Sequence, residues 1–232
     1  MIDWRQIRTV LLDMDGTLLD LHYDTHFWLT HLPARYAQAQ GVDPEQASQE
    51  IHDTIQNLKG SLDWYCLDFW SERLGIDVSR LKHEVSDRIR YREDAQAFLR
   101  ALKNSHCRTV IVTNAHQGGL DLKRQRTGLD HWVDAIHSTH SFGRPKEDPA
   151  FWQDLATLET YQPAATLMVD DSFPVLESAR RAGISQCLAI LSPDSRQPDR
   201  DPHPDIPAVS HFAEVLDALQ PNAPAIGETG PV

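Results

Sequence analysis

The stretch Val10-Leu11-Leu12-Asp13-Met14-Asp15-Gly16-Thr17 decides the reading of this chain, because an apolar run of strand type drives into two carboxylates and then a glycine. A buried strand ending in Asp-x-Asp sets both acids at its carboxyl end, where open α/β sheets bind their ligands. Gly16 lets the chain turn sharply there. Alternation along a strand lets Asp13 and Asp15 face one pocket from neighbouring positions. Two carboxylates that close repel each other unless a cation or a shared proton intervenes. The pair therefore asks for a metal, and oxygen ligands of this kind suit Mg²⁺. A surface turn rich in Asp and Gly is the plainer alternative, so the rest of the chain has to decide.

Outward from this octet, the residues that follow Thr17 change from strand to amphipathic helix for about seventy positions. Asp43 and Pro44 predict an N-cap and first helical position, with Ala47, Ile51, Ile55 and Leu58 on one face. Gly60 breaks that helix. A second is expected from Leu62 through Trp64, Leu67, Trp70 and Leu74 to Gly75, and Leu81, Val85 and Ile89 offer a further face. No strand is expected between Leu18 and Arg92. An alternating order then resumes: helix Ala95 to Lys103, strand Thr109 to Val112, helix Leu120 to Thr127, strand Ala135 to Ser138, helix Phe151 to Leu158, strand Thr166 to Val169, helix Val175 to Ala182 and strand Cys187 to Leu191. That alternation predicts a parallel sheet covered on both sides. Pro193 to Pro207 reads as an irregular loop, His211 to Leu219 as a final helix, and 221–232 as a flexible tail.

Three later positions gather chemistry beyond predicted strands. In Val110-Ile111-Val112-Thr113-Asn114-Ala115, a hydroxyl and an amide follow an apolar run; either could equally cap a helix. Gly143-Arg144-Pro145-Lys146-Glu147-Asp148-Pro149 places a lysine in a proline-bracketed turn, where a lone lysine is ordinarily solvated. Leu167-Met168-Val169-Asp170-Asp171-Ser172 again ends a strand in paired acids, and an Asp-Asp-Ser turn can also cap the helix that follows.

The octet and these three segments, in this order, resemble the four motifs of the haloacid dehalogenase-like (HAD) superfamily of phosphohydrolases. The resemblance implies a Rossmann-like parallel-sheet core over 1–17 and 95–220, with an inserted helical, C1-type cap over 18–94. It implies that Asp13 is the nucleophile, that Asp15 is the acid and base, and that Thr113, Asn114 and Lys146 meet the phosphoryl group. A carboxylate can serve as a covalent nucleophile, and a hydroxyl and a cation suit a charge-bearing transferring group. Mg²⁺ would be held by Asp13, the Asp15 backbone carbonyl and Asp170, with Asp171 ligating through water or orienting Lys146. An acid at position 15 argues against dehalogenation, because the dehalogenase members lack it.

Leu18 to Leu21 with Phe27 and Trp28, the Trp64 to Asp68 stretch, Ser138 to Gly143 and Pro145 to Asp148 are similar to the bacterial GMP/IMP nucleotidase branch of that superfamily, over about 8–191. This implies hydrolysis of purine nucleoside 5′-monophosphates. Trp28, Lys59, Trp64 and Tyr65 are candidate substrate contacts, since aromatic rings stack on bases; aromatic residues at helical spacing also make ordinary core. Arg35, Arg88 and Arg92 are further basic candidates. Another cap-bearing phosphatase or a phosphosugar mutase would share every core residue. A phospho-accepting signalling domain also uses acids, a Thr and a Lys, but in another order and without a large helical insert.

Composition narrows the partners. A net charge of −12 and an isoelectric point near 5.3 argue against polymeric nucleic acid and anionic membranes. A small phosphate ester remains compatible, because a bound cation and a few basic groups reverse the local field. The three cysteines, Cys66, Cys107 and Cys187, lack metal-ligand spacing and read as reduced thiols. With no long apolar run near Met1, a signal peptide is not expected and a cytoplasmic location is. A monomer and a homodimer are both compatible.

Overall fold

Strand β1 (Thr9–Leu12) lies at the centre of the sheet because every one of its side chains is buried, leaving no face for water. The computed structural model describes residues 2–219; the tail expected over 221–232 lies outside the described residues. After β1 come α1 (His22–His26), a π-helical turn at Phe27–His31 and α2 (Leu32–Gln40). Four more helices follow in the same segment: α3 (Pro44–Leu58), α4 (Leu62–Tyr65), α5 (Leu67–Leu74) and α6 (Val78–Glu84). The chain continues through α7 (Ala95–Lys103), β2 (Arg108–Thr113), α8 (Gln117–Thr127), β3 (Ala135–Ser138) and α9 (Pro149–Leu158). It closes with β4 (Thr166–Asp170), α10 (Phe173–Arg181), β5 (Gln186–Ile190), β6 (Ala208–Val209) and α11 (Ala213–Leu219).

All six strands are parallel, in the order β3-β2-β1-β4-β5-β6. Strands β2 and β3 are laid down on one side of β1 and β4 to β6 on the other, which opens a crevice at the carboxyl end of β1. Alternating side chains feed two layers. Val10, Leu12, Ile111, Leu167 and Val169 pack with Phe98, Leu102 and Phe212 from α7 and the α11 approach. Leu11, Val110, Val112 and Met168 pack on the other face with Phe151, Trp152, Val175 and Leu176 from α9 and α10. Tyr23, Phe27, Trp70 and Leu81 join the first layer, so the helices between β1 and β2 share one core with the sheet.

The N-cap at Asp43 accepts from the amides of Glu45 and Gln46, with Pro44 opening α3. Two expectations are corrected. The helix expected from Leu62 to Leu74 breaks at Cys66, whose backbone is extended; the Trp70 indole Nε1–H donates to the Trp64 carbonyl at 2.9 Å, taking the acceptor that a continuous helix would use. The last helix starts at Ala213 rather than His211, because the Ser210 and His211 amides are both held by the Glu214 carboxylate. The proline-rich loop is irregular over 193–207 as expected, and just beyond it β6 pairs with β5, too short to show periodicity.

The two chain crossings into and out of the helical segment meet as a neck. Leu19 and Tyr91 form an antiparallel bridge, Asp20 N donates to the Arg90 carbonyl, and Arg92 N donates to the Leu18 carbonyl. Arg92 is buried there. Its guanidinium donates to the carbonyls of Thr17 (3.1 Å), Ser192 (3.1 Å) and Ser210 (2.6 Å). This corrects its candidacy as a substrate contact: three backbone oxygens use its donors, as a buried guanidinium requires.

Candidate active site

Asp13 takes the position after β1, its amide donating to the Val169 carbonyl at 2.9 Å, so the β1–β4 pairing itself aims the carboxylate into the crevice. The chain then folds back, with Leu18 N and Leu19 N both on the Met14 carbonyl and Gly16 N on the Leu19 carbonyl. Gly16 is required twice over. Its φ is +86°, and a Cβ there would stand 2.8 Å from the Asp171 carboxyl group.

Lys146 is almost wholly buried and bridges two carboxylates, with Nζ 2.5 Å from Asp13 Oδ1 and 2.8 Å from Asp170 Oδ2. Burial opposes its charge, but Asp13 and Asp170 together raise its pKa and keep it an ammonium. The turn that presents it is clasped by Asn114, whose Oδ1 accepts from Lys146 N at 2.9 Å and whose Nδ2 donates to Glu147 Oε2 at 2.9 Å. The Asn114 side chain thus positions the turn that carries Lys146. Thr113 and Asn114 do not cap α8; the His116 imidazole does so, accepting from Gly118 N. Thr113 is buried beside this turn and its hydroxyl oxygen accepts from Ala115 N, which leaves its proton for another acceptor.

Asp170 Oδ1 accepts from Ser172 N at 2.8 Å, fixing the strand-to-helix turn without any cap bond from the Ser172 side chain. Burial, reinforced by the Asp13 and Asp171 charges, raises the Asp170 pKa well above the usual range, with Lys146 opposing. Burial likewise pushes Asp171 up to about 7, Asp13 adding to the effect and Arg200 opposing it. Arg200 comes from the proline-rich loop, 3.0 Å from Asp171 Oδ2 and bonded also to the Asp171 carbonyl. Lys146 is therefore oriented by Asp13 and Asp170 rather than by Asp171. Oxygen atoms of Asp13, Asp170 and Asp171 lie within 4.8 Å of one another, and the buried Asp13 Oδ2 has no hydrogen-bond partner among the described residues. Three acids converging within this distance suit a hard divalent cation.

Asp15 faces a second lysine that the sequence reading missed. Lys123, on α8, sits 2.7 Å from Asp15 Oδ1 and 2.7 Å from Asp24 Oδ2, while Asp24 Oδ1 meets Lys82 at 2.7 Å. This row of alternating charge joins the sheet to α1 and α6, and the Tyr23 ring lies against both ammonium groups. Burial raises Asp15 to about 6 against the pull of Lys123. The one signal in the sequence was position: Lys123 follows Leu120 by one helical turn and so falls on the buried side of α8.

The remaining candidates separate. The Tyr65 hydroxyl donates to Glu147 Oε1 at 3.0 Å, and burial with the Glu147 charge raises its pKa, so this ring reaches the turn that carries Lys146. The Trp64 ring lies beside it, tilted by 38° with centroids 4.8 Å apart. Trp28 instead packs on Trp70 at 5.1 Å within the helical core. Lys59 is exposed at the end of α3, and Arg35 pairs with Glu84.

An acid-ended central strand, a lysine bridging two strand-end carboxylates and a helical segment between β1 and β2 define a class, and residues 7–183 match the family described as haloacid dehalogenase-like hydrolase. The chain belongs to that family. It is 42% identical over 194 residues to the GMP/IMP nucleotidase YrfG of Escherichia coli (strain K12), and equally to that of Shigella flexneri, covering 84% of this chain and 87% of each relative. Among solved structures it resembles a HAD phosphatase from Thermococcus onnurineus (TM-score 0.77, 20% identity, 92% of this chain and 98% of that one). A putative β-phosphoglucomutase from Thermotoga maritima is similar at TM-score 0.65 and 19% identity, over 92% and 98% of the two chains. These last likenesses concern the fold.

Proposed function

We propose that this protein is a Mg²⁺-dependent phosphomonoesterase of purine nucleoside 5′-monophosphates, acting through an aspartyl-phosphate. The observation that carries the chemistry is Asp13, whose Oδ1 is tied to Lys146 while Oδ2 is buried and without a partner. An oxygen so placed serves as a nucleophile. Asp13 attacks phosphorus and forms a P–O bond, the ester P–O bond breaks, and the leaving oxygen takes the proton of Asp15. Asp15 then removes a proton from water, whose oxygen attacks the same phosphorus and releases Asp13 and phosphate. A carboxyl held near 6 by burial suits both duties. Lys146 and the Thr113 hydroxyl offset charge on the transferring group. Asp13, the Asp15 carbonyl, Asp170 and Asp171 would hold Mg²⁺, which supplies charge neutralisation at the phosphoryl oxygens when bound.

The cap assignment for 18–94 is part of the same reading, supported by the neck at Leu19 and Tyr91 and by Tyr65 reaching Glu147. Purine specificity rests on the 42% identity to relatives named GMP/IMP nucleotidases. The test is phosphate release with Mg²⁺ from GMP, IMP, AMP, a pyrimidine monophosphate and sugar phosphates, with Asp13→Asn as blank. Preferential GMP and IMP turnover is expected. A preference for sugar phosphates would overturn the specificity while keeping the chemistry, and activity undiminished in Asp13→Asn would overturn both.

A further inference from the structure

Cys66, His116 and His140 converge where the helical segment meets the sheet, and their ligand atoms all lie within 4.8 Å of one another. They come from three separate elements: Cys66 from the break between α4 and α5, His116 from the start of α8, and His140 from the 3₁₀ turn Thr139–Phe142 after β3. Nothing in the hydrolytic chemistry uses them.

Two of the three groups stand ready as ligands, and the third needs only a shift of its ring proton. His140 Nε2 is buried and has no hydrogen-bond partner among the described residues. Burial, and then the neighbouring His116, lower the His140 pKa and keep the ring neutral, the form that binds metal; a hydrogen bond to the Asn114 backbone opposes this and orients the ring. His116 uses Nδ1 to accept from Gly118 N, which turns Nε2 outward, 3.5 Å from Asp68 Oδ2. The two rings stand edge to face, 5.0 Å apart. Cys66 is a half-buried free thiol.

We infer that these three side chains form a second metal site, one for a borderline-soft cation such as Zn²⁺, with Asp68 or water in the fourth position. A thiolate and two imidazoles discriminate against Mg²⁺, which prefers oxygen, and so separate this site from the Asp13, Asp170 and Asp171 cluster. Zn–S and Zn–N bonds of about 2.3 and about 2.0 Å place tetrahedral ligands roughly 3.5 Å apart, so a small inward movement completes the site. Binding releases the Cys66 thiol proton to solvent and moves the His116 ring proton from Nε2 to Nδ1, at the expense of the Gly118 bond, with no redox change. Because Cys66 follows Tyr65 and the two histidines belong to the sheet side, an ion here latches α4 and α5 onto the sheet beside the Lys146 turn.

The probe is Co²⁺, titrated into the full chain with Mg²⁺ in excess to fill the oxygen site. One equivalent should produce the near-ultraviolet thiolate-to-Co²⁺ absorption, which Zn²⁺ then displaces. Cys66→Ser should abolish the band, and His140→Gln should weaken Zn²⁺ binding at least about tenfold. Zn²⁺ should also slow amide exchange across α5 in the parent protein but not in Cys66→Ser. Absence of the band, its survival in Cys66→Ser, or Zn²⁺ affinity undiminished in His140→Gln would overturn the site. Circular dichroism of both variants separates lost ligation from lost folding.

Discussion

Two lysines flank the carboxyl end of β1, and each is buried between two aspartates, yet their partners differ in kind. Lys146 bridges Asp13 and Asp170, both at strand ends of one sheet, whereas Lys123 bridges Asp15 at the sheet to Asp24 on α1. The first arrangement is local to the crevice and fixes charge where phosphorus would sit. The second spans two parts of the chain, so it couples the carboxyl of Asp15 to the seating of the helical segment. The same ion pairing stays within the crevice in one place and joins two parts of the chain in the other.

The comparison can be broken by removing charges one at a time. Asp13→Asn should lower kcat on the order of 10⁴-fold or more, since loss of a nucleophile leaves only binding and electrostatic catalysis. Lys146→Met should lower kcat by roughly 10²- to 10³-fold, the scale of one lost electrostatic partner. Lys123→Met should cost about 3–5 kcal/mol in a urea titration, because Asp15 and Asp24 lose a buried partner; its kcat should fall less than that of Lys146→Met. Equal kcat losses would erase the distinction between the two lysines.

The smallest effect sharpens it through pH. Burial favours a neutral Asp24, but Lys123 and Lys82 outweigh burial and hold its pKa down to about 2, below the ordinary 3.8. A depressed carboxyl pKa stabilises the fold above the unfolded value and loses that contribution as pH falls through the folded one. Stability on the order of 2 kcal/mol should therefore disappear between about pH 4 and about pH 2. Asp24→Asn should flatten that part of the pH profile in thermal denaturation.

The same contrast explains what the sequence disclosed. Asp13, Asp15, Lys146 and Asp170 stand beside apolar runs or in a proline-bracketed turn, so local pattern marks them, and the alternation after Ala95 announces the parallel sheet. Lys123 and Asp24 carry no such mark, because their meaning comes from partners distant in the chain. Arg200 lay in a stretch read as an irregular loop, and only the fold brings it to Asp171. The break at Cys66 was hidden for a similar reason: its cause is an indole bond from Trp70, invisible to helical periodicity.

The three acceptors of Arg92 have a consequence for synthesis. Thr17 precedes Arg92 in the chain, but Ser192 and Ser210 leave the ribosome long after it. Until they do, two of the carbonyls that hold this guanidinium do not exist, and its charge has to stay in water. The neck at Leu19 and Tyr91 is thus completed by segments made about a hundred residues after it. A nascent chain halted before Ser192 has Asp13 and most of its helices, yet lacks the fastening that closes one onto the other.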